Sequence, residues 1–460
     1  MTMADRDEAL PVGPLLAYCG DDFTGSTDVM EAFTAAGVPT VLFLAPPGPE
    51  WVERFAGMRC IGLATTARGQ SPDWMDAALP DAYARLKAFG APILQYKVCS
   101  TFDSSPQIGS IGRAIDLGVA AMGGRWSPMV VGAPRLRRWQ AFGNLFAAAA
   151  DGVPHRLDRH PTMSRHPVTP MHEADLRRHL AEQTPRRTGL VDLVAMKAGD
   201  GTARRDALCA DDAPIVLLDV VDEETLAEAG RLVWEGRGEG IFSASSSGLQ
   251  YALAAHWRSR GWVPAQPSLP RASAVDAIGV VSGSCSPATA SQIAWAAGNG
   301  FHAERLDLTR VLPVSTREPE IERTVAAALA ALGRGQSPLV YSAAGPEDPA
   351  VTGFEAVARA AGLTRGDAAR AVGDALAEVM RRLLDRSGLR RIVVAGGDSS
   401  GAVAGALDIA ALSIAAGIAP GAPLCRAWSK APSRDGLEVV LKGGQMGAED
   451  FFGRVRSGGA

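Results

Sequence analysis

Short apolar runs alternate along the first half of the chain with stretches whose apolar residues recur at helical spacing. The runs 15–19, 40–44 and 60–64 are mostly apolar, which is typical of buried strands. Between the first two runs, Val29 and Phe33 lie on one face of an expected helix. Strands that alternate with helices predict parallel βαβ units, in which ligands bind beyond the carboxyl ends of the strands.

The same alternation begins again after the segment 262–271, which contains three prolines and little periodicity. Such a segment is typical of a linker. We therefore predict an α/β protein of two domains, 11–262 and 272–456, each a largely parallel sheet flanked by helices. The expected strands of the second domain are 278–281, 339–342, 392–394 and 437–442.

The stretch 392–409 combines a β-branched run, the glycine pair Gly396-Gly397, an acidic residue and two hydroxyl residues. Small and aliphatic residues at helical spacing follow, as far as Ile409. A strand, a glycine turn, a hydroxyl N-cap and a helix would direct several backbone N–H groups at one point, which is an arrangement that binds phosphate. A tight turn in an α/β sheet is the structural alternative.

Two other strands of the second half end in small polar residues or glycine, at 282–286 and 442–444. None of the three turns has the GxxxxGK[ST] or GxGxxG pattern, which disfavours a P-loop NTPase and a Rossmann dehydrogenase. Several turns rich in N–H groups at one sheet edge would still bind a polyphosphate, with Lys442 as a charge partner. Ser286 and Pro287 fit the N-cap and first position of a helix.

Strand ends of the first half carry charged groups instead. Asp21 and Asp22 follow the first strand, and their charges repel unless a metal, a base or substrate hydroxyls engage them. Capping of the next helix would account for one of the two. Lys97 falls inside the apolar strand 93–97, where an unpaired ammonium is costly. We expect it to contact an anion, either a protein carboxylate or a substrate.

The segment after Lys97 is dense in hydroxyl and carboxylate groups suited to a polyol, namely Ser100, Thr101, Asp103, Ser104 and Ser105. An arginine cluster, Arg135, Arg137 and Arg138, follows the next expected strand. Such a cluster can bind a carboxylate in bidentate fashion, or it can be a solvated loop, which we favour for two of the three. Five of the seven histidines lie between 155 and 179, at spacings that match no common zinc site.

Composition narrows the class of protein. A net charge of −4 with mixed signs indicates no general affinity for nucleic acid or membranes. The six cysteines are scattered without a CxxC pair, which fits reduced thiols in a cytoplasm. Residues 1–10 are charged, and no apolar run has the length of a membrane span. We therefore expect a cytoplasmic protein with a small-molecule partner, and leave homodimerisation open.

Seven motifs, in this order along the chain, resemble the four-carbon acid sugar kinase family over about residues 14–453. They are Asp21-Asp-Phe-Thr-Gly25, Tyr96-Lys-Val-Cys-Ser-Thr-Phe-Asp-Ser104, His166-Pro-Val-Thr-Pro-Met171, Val281-Ser-Gly-Ser-Cys-Ser286, Gly396-Gly-Asp-Ser-Ser400, Pro420-Gly-Ala-Pro423 and Leu441-Lys-Gly-Gly444. The resemblance implies phosphorylation of a tetronate or 3-oxo-tetronate by ATP in an interdomain cleft. The set of motifs is far more specific than any one of them.

The resemblance also implies roles for individual residues. The N-terminal domain would bind the sugar acid through Asp21, Asp22 and Lys97, and Ser100, Thr101, Asp103 and Arg135 are further candidates. The C-terminal domain would bind the nucleotide, and its candidate residues are Ser282, Ser284, Gly396, Gly397, Asp398, Ser399, Gly443 and Gly444. Mg²⁺ is expected with ATP, and its protein ligands stay unassigned.

Departures from the family pattern concern the substrate. Ser-Thr-Phe-Asp at 100–103 is closer to the 3-oxo-tetronate kinases than to relatives with Ser-Thr-Leu-Arg-Gly. The segment 107–112 and the arginine cluster, however, differ from the usual oxo-tetronate pattern. A branched acid such as 3-oxo-isoapionate is therefore an alternative substrate. A dinucleotide-dependent oxidoreductase and a non-catalytic sugar-acid sensor are weaker alternatives.

Phosphoryl transfer needs positioned reactants, neutralised phosphate charge and at most one base. We expect the Gly396-Gly397 turn to bind the ATP phosphates, and Lys97 to bind a carboxylate or oxo oxygen of the substrate. Asp22 or Asp398 would be the base or the Mg²⁺ partner, Asp22 because it lies at a strand end on the sugar side and Asp398 because it lies on the phosphate turn.

Overall fold

The computed structural model describes residues 9–149, 151–166, 168–266 and 268–459, apart from the side chain of Asp398. Within this description the chain divides into two compact units, with the division after residue 268. Each unit is built on a mostly parallel sheet flanked by helices. The predicted two-domain α/β class is confirmed.

The first unit has a central sheet of five parallel strands in the order β11-β4-β1-β3-β2. A parallel sheet β5-β10-β9 and an antiparallel sheet β6-β7-β8 accompany it. The strands are β1 (Leu16–Gly20), β2 (Thr40–Phe43), β3 (Cys60–Ala64), β4 (Ile93–Lys97), β5 (Ser127–Met129), β6 (Arg138–Ala141), β7 (Asn144–Ala148), β8 (Pro154–Arg156), β9 (Thr188–Val191), β10 (Ile215–Leu218) and β11 (Ile241–Ser245).

Strand register brings the polar strand ends of this unit together. Gly20 at the end of β1 pairs with Ala64 of β3 on one side and with Lys97 of β4 on the other. Ser245 of β11 pairs with Lys97 in turn. Residues that follow these four strands therefore emerge at one edge of the sheet, as parallel pairing requires.

Helices of the first unit begin mostly at residues that can cap them. Asp22, Ser71 and Ser110 each accept a backbone N–H in the first turn of the helix that follows. The amphipathic pattern of residues 173–183 predicts a helix, and the observed helix is shorter, with Asp175 as its N-cap and Ala181 as its last residue. The helices are α1 (Phe23–Ala35), α2 (Pro49–Arg54), α3 (Pro72–Lys87), α4 (Ile111–Met122), α5 (Leu176–Ala181), α6 (Leu193–Lys197), α7 (Gly201–Leu208), α8 (Glu223–Glu235) and α9 (Gly248–Ser259).

The second unit has one sheet, in the order β16-β17-β18-β15-β12-β14-β13. Its strands are parallel except for the antiparallel pairs β16-β17 and β17-β18. The strands are β12 (Gly279–Ser282), β13 (Phe301–Arg305), β14 (Ser337–Tyr341), β15 (Arg391–Ala395), β16 (Ile409–Ala419), β17 (Ala422–Ser429) and β18 (Glu438–Lys442).

Helices of the second unit confirm one capping prediction, since Ser286 is the N-cap and Pro287 the first residue of a helix. The assignment of Ile409 to a helix was wrong, because the helix ends at Ala406 and Ile409 begins β16. The helices are α10 (Pro287–Ala297), α11 (Leu308–Val311), α12 (Val314–Gly333), α13 (Pro349–Thr352), α14 (Phe354–Ala360), α15 (Arg365–Asp385), α16 (Gly397–Ala406) and α17 (Phe451–Ser457).

Apolar side chains fill the space between sheet and helices in this unit. Phe451 and Phe452 are fully buried in a cluster with Val280, Val393 and Val440 of the central strands. None of the described helices is both long and apolar enough to cross a membrane. None of the six cysteines, all within the described residues, is in a disulfide.

Candidate active site

The carboxylates of Asp21 and Asp22 lie at the end of β1 and share one cation, Arg68. Its Nε and Nη2 donate to Asp21 at 3.1 and 2.8 Å, and its Nη1 and Nη2 donate to Asp22 at 2.9 and 2.8 Å. Asp22 also caps α1, accepting from the Gly25 N–H at 2.8 Å and from Thr24 Oγ1 at 2.6 Å. A base therefore engages the pair, which was one of the three expected solutions.

Burial and charge act differently on the two carboxyl groups. Burial raises the pKa of Asp21, and Arg68 only partly offsets this effect. Burial also opposes ionisation of Asp22, but Arg68, Lys97 and the two hydrogen bonds from its own turn hold its pKa below the usual range. Asp22 is thus a stable carboxylate with most of its acceptor positions occupied.

Lys97 ends β4 beside this pair and is only 2% exposed. Its ammonium donates to the Val98 carbonyl at 2.9 Å. Burial raises the pKa of Asp28 in α1, and the nearby charge of Lys97 counters that rise. A Cβ on Gly25 would lie 2.5 Å from Asp22 Oδ1 and 2.8 Å from Lys97 Nζ, so glycine lets the backbone pass between these charges.

The polar segment after β4 is a tightly bonded loop. Thr101 Oγ1 donates to Asp103 Oδ1 at 2.7 Å and lies 2.9 Å from Cys99 Sγ. Phe102 has a left-handed backbone, with φ of 58°, and a fully buried side chain. Ser100 and Asp103 are half-buried at the same sheet edge as Asp21 and Lys97.

Residues of the distant helix α5 and its C-terminal flank support the loop. Ser104 Oγ lies 2.9 Å from His179 Nε2 and accepts from Gln183 Nε2 at 3.1 Å. The His179 ring packs edge-on against Phe102, with centroids 5.7 Å apart. Burial lowers the pKa of His179 to about 4, so that the imidazole is neutral at physiological pH.

The three arginines of the cluster lie in different environments. Arg135 is exposed and lines a cavity with Glu31, Glu223 and Tyr251 on the helical side of the unit, and it is not brought into contact with the Asp21–Asp22 pair. Arg137 is exposed and donates to the Gly152 carbonyl. Arg138 is partly buried. A substrate contact of Arg135 stays a prediction.

In the second unit the turns after β12, β15 and β18 meet. The Gly396 N–H donates to the Lys442 carbonyl at 2.9 Å, and the Gly283 N–H donates to the Ala395 carbonyl at 3.0 Å. A Cβ on Gly283 would lie 2.2 Å from Ser399 Oγ, and one on Gly444 would lie 3.0 Å from Ser284 Oγ. The glycines therefore allow the three turns to pack directly on one another.

Helix α16 begins at Gly397 without a side-chain cap. Its N-cap is Gly396, whose φ of 122° favours glycine. The predicted hydroxyl N-cap was wrong, because Ser400 Oγ donates back to the Gly396 carbonyl at 2.7 Å. Among the described side chains none caps the first N–H groups of the helix, and uncapped N–H groups suit an anion. Asp398 is the second residue of this helix, and its side chain lies outside the described part.

Lys442 is fully buried below these turns rather than exposed to a ligand. Its ammonium donates to Thr289 Oγ1 at 3.0 Å and to the carbonyls of Gly443 and Gly444 at 3.0 and 3.2 Å. Burial lowers its pKa to about 7. Lys442 therefore holds the 443–444 turn against helix α10, and the expectation of a direct charge partner is replaced by this contact.

Both units match models of known domains. A sugar-binding N-terminal domain matches residues 16–253, and a nucleotide-binding C-terminal domain matches residues 280–452. Over 450 residues the chain is 68% identical to 3-oxo-isoapionate kinase of Paraburkholderia graminis, covering 98% of this chain and 96% of the relative. It is 33% identical over 442 residues to 3-oxo-tetronate kinase of Cupriavidus necator, covering 95% and 96%. The chain belongs to the four-carbon acid sugar kinase family.

Two solved structures share the fold of this kinase family member. A Salmonella typhimurium protein superposes with a TM-score of 0.76 at 26% identity, covering 96% of this chain and 98% of that chain. A Haemophilus influenzae protein superposes with a TM-score of 0.69 at 24% identity, covering 96% and 100%. The agreement extends over both units, which is what the sequence motifs of the family predicted.

The first unit also contains buried or half-buried charged and titratable residues, close to the predicted site residues, that sequence reasoning missed. Arg68 lies in a short 3₁₀ turn, 67–69, after β3, and no motif marks it. Its position after the strand next to β1 was the available signal, because parallel neighbours end at one edge. Asp28 and His179 are buried charged or titratable residues on helices, and only the fold shows what they face. Pro167 of the third sequence motif lies outside the described residues.

Replacement of Arg68 should test the electrostatic core of the sugar-side site. Arg68→Gln leaves two buried carboxylates without their cation, so we expect a loss of about 3 kcal/mol in the free energy of unfolding at pH 7. The lowered pKa of Asp22 stabilises the fold above the ordinary Asp pKa and ceases to do so as pH falls through the folded value. The loss should therefore shrink below about pH 4, as urea unfolding at several pH values would measure.

Arg85→Gln is the matched control, because Arg85 pairs with Asp81 on the exposed surface of α3. It should change stability far less than Arg68→Gln does, because solvent and salt screen an exposed ion pair. Equal effects of the two substitutions at pH 7 would contradict the assignment of Arg68 as the partner on which the pair depends.

Replacement of Lys442 should change how stability depends on pH. With a folded pKa of about 7, the folded chain carries fewer protons than the unfolded chain above pH 7, so Lys442 makes stability rise with pH. In Lys442→Met that contribution is absent. The wild type should gain on the variant by about 1 kcal/mol per pH unit between pH 7 and 8.5, measured by urea unfolding.

Lys87→Met provides the comparison, since Lys87 is exposed and donates to the Ala121 carbonyl. Its difference from the wild type should stay constant over the same pH range. A constant stability difference between the wild type and Lys442→Met would show that burial does not lower the pKa of Lys442 in the folded protein.

Proposed function

We propose that this protein is an ATP-dependent kinase whose acceptor is 3-oxo-isoapionate or a closely similar branched 3-oxo sugar acid. The observation that carries the proposal is the 68% identity, over almost the whole of both chains, to 3-oxo-isoapionate kinase of Paraburkholderia graminis. The 3-oxo-tetronate kinases are only 29–33% identical over similar lengths. The alternative substrate of the sequence analysis thereby becomes the preferred one.

The sugar-side unit supports an acidic, polyhydroxylated acceptor. Lys97 supplies a buried ammonium at the sheet edge, and Thr101 and Asp103 supply hydroxyl and carboxylate groups beside it. Asp21 and Asp22 are held in place by Arg68, so that their oxygens have defined positions. Donors and acceptors of this kind match a molecule that carries a carboxylate, a ketone and hydroxyls.

The nucleotide-side unit supports ATP through backbone groups. The uncapped start of α16 directs N–H groups and the positive end of a helix at one point, and Ser284 and Ser399 lie beside it. This combination is typical of phosphate sites. Gly443 and Gly444 form the adjacent turn.

Mg²⁺ fits this arrangement as the partner of ATP. No group of three or more His, Cys, Asp or Glu among the described residues could hold a metal ion. Mg²⁺ in kinases, however, is usually bound by one or two carboxylates together with the phosphates of the substrate. Its protein ligand stays unassigned, and Mg²⁺ when bound would neutralise charge on the phosphates.

The choice of catalytic base is between Asp22 and Asp398. Asp22 accepts hydrogen bonds from Arg68, Thr24 and Gly25, and its pKa is held low, which makes it a weak proton acceptor. These contacts favour a positioning role for Asp22 and leave Asp398, on the phosphate turn, as the preferred base. A cytoplasmic location and a homodimer stay predictions.

An ATP-consumption assay tests the function. Purified protein should be assayed with 3-oxo-isoapionate, 3-oxo-tetronates and tetronates as acceptors, with the reaction without acceptor as the control. We expect kcat/KM to be at least about tenfold higher for 3-oxo-isoapionate than for the linear acids, because a shaped pocket discriminates by about this factor for one added group.

A higher kcat/KM for a linear 3-oxo-tetronate than for 3-oxo-isoapionate would show that the linear acid is the preferred substrate. If the folded protein turned over no acid and showed no thermal stabilisation by ATP, the kinase proposal would be wrong.

The two candidate bases can be separated by their amide variants. Asp398→Asn should lower kcat by about 10²–10⁴-fold. Asp22→Asn keeps an oxygen that can accept from Gly25, and should mainly raise the KM for the acid. Steady-state kinetics of both variants, with thermal melting as a check on folding, would measure this. Near-normal kcat in Asp398→Asn with a large loss in Asp22→Asn would assign the base to Asp22 instead.

A further inference from the structure

Arg138 begins β6 with a backbone that leaves it little freedom. Its N–H donates to the Ala133 carbonyl at 3.2 Å, and the Ala133 N–H donates back to the Arg138 carbonyl at 2.9 Å. Between them, residues 134–136 form a 3₁₀ turn, and Arg137 has a left-handed backbone with φ of 59°. The side chain of Arg138 therefore leaves the sheet from a fixed point.

The guanidinium of Arg138 is partly buried without a carboxylate partner in the described part of the chain. Nη1 donates to the carbonyls of Leu136 and Arg137 at 3.2 and 3.0 Å. Nε is buried and has no hydrogen-bond partner among the described residues. Burial lowers the pKa of Arg138, and the nearby Cys99 and Asp103 offset this effect only in part.

Three other arginines that are wholly or partly buried are each paired with a carboxylate. Arg68 has Asp21 and Asp22, Arg391 donates to Glu438 at 2.7 Å, and Arg434 is paired with Asp385. A cation removed from water without such a partner is costly. The missing partner of Arg138 is therefore best explained as an anionic group that arrives with a ligand.

The chain before Arg138 shows where that ligand would lie, because the Val130 N–H donates to Ser245 Oγ at 2.8 Å and Ser245 pairs with Lys97 at the end of β4. Burial raises the pKa of the nearby Cys99 thiol, the charge of Asp103 adds to that rise, and the charges of Arg68 and Lys97 counter it. Three cations, Arg68, Lys97 and Arg138, thus act on one half-buried position at the end of β4. Arg68 is neutralised by two carboxylates, and Lys97 lies within the field of Asp22 and Asp28. Arg138 has the weakest compensation of the three.

We propose that Arg138 binds the carboxylate of the sugar acid, an inference that rests on the proposed kinase function. The edge of the guanidinium that carries Nε and Nη2 presents two parallel N–H groups, which is the geometry of a bidentate arginine–carboxylate pair. Nη1 is already bonded to backbone carbonyls, and this orients the other edge. Lys97, which sequence reasoning assigned to the carboxylate or the oxo oxygen, then contacts the oxo oxygen.

The test is a comparison of neighbouring arginines. Arg138→Gln should raise the KM for the sugar acid about 100-fold, and Arg138→Lys about 10-fold, because a charge-assisted bidentate pair is lost or reduced to a point charge. The KM for ATP should stay within a factor of two or so in both. Arg137→Gln, at an exposed position of the same turn, should leave both constants unchanged.

A structural role would give a different pattern, in which the melting temperature falls and both KM values rise together. An unchanged KM for the acid in Arg138→Gln, while the wild type is active, would overturn the inference and leave the kinase function intact. The same holds if Arg135→Gln gave the larger effect.

Thermal stabilisation by a tetronate and by its carboxamide keeps the inference testable if the wild type phosphorylates none of the acids. The wild type should be stabilised by the acid and not by the amide, and Arg138→Gln by neither. Equal stabilisation of the wild type and Arg138→Gln by the acid, or no stabilisation of the wild type, would overturn the carboxylate assignment independently of catalysis.

Discussion

The Arg68 guanidinium donates four hydrogen bonds to the adjacent carboxylates of Asp21 and Asp22, both buried at the end of β1. Without that cation, repulsion and burial would drive one of them to bind a proton. The same residue ties the turn after β3 to β1. The Gly109 N–H donates to the Gln70 carbonyl at 2.8 Å, and this extends the connection to the loop after β4. The geometry of the sugar-side edge therefore depends on the guanidinium of Arg68.

The nucleotide-side edge is built on a different principle. Its turns contain glycines and serines. The buried ammonium of Lys442 donates to backbone carbonyls within the described structure rather than to a ligand. The positive potential there comes from backbone N–H groups and the start of α16. A site of this kind binds phosphate oxygens through backbone N–H groups, and it does not need the side chains of a Walker motif.

Sequence alone predicted the repeated strand–helix units, because β-branched runs and helical spacing are local properties. It also found Asp21, Lys97 and the Gly396-Gly397 turn, since each lies next to a strand end. It did not find Arg68 or the support that His179 gives to Ser104, because these contacts join residues 46–47 and 75 positions apart. The β16–β17 hairpin was missed because alanine-rich strands such as Ile409–Ala419 carry little β-propensity. In these cases the structure depends on tertiary contacts of buried residues, which local sequence patterns do not show.

The difference between a linear and a branched sugar acid cannot be read by charge, because every member of the class carries the same carboxylate. Discrimination between linear and branched acids must therefore come from the shape of rigid parts of the binding site. The loop after β4 has that property, since Phe102 is buried in a left-handed conformation against His179, and Gln183 and His179 both contact Ser104. A shift of this loop would have to break several buried contacts at once. Charge at Lys97 and Arg138 would therefore define the class of acceptor, and the stiffness of the loop would define its shape.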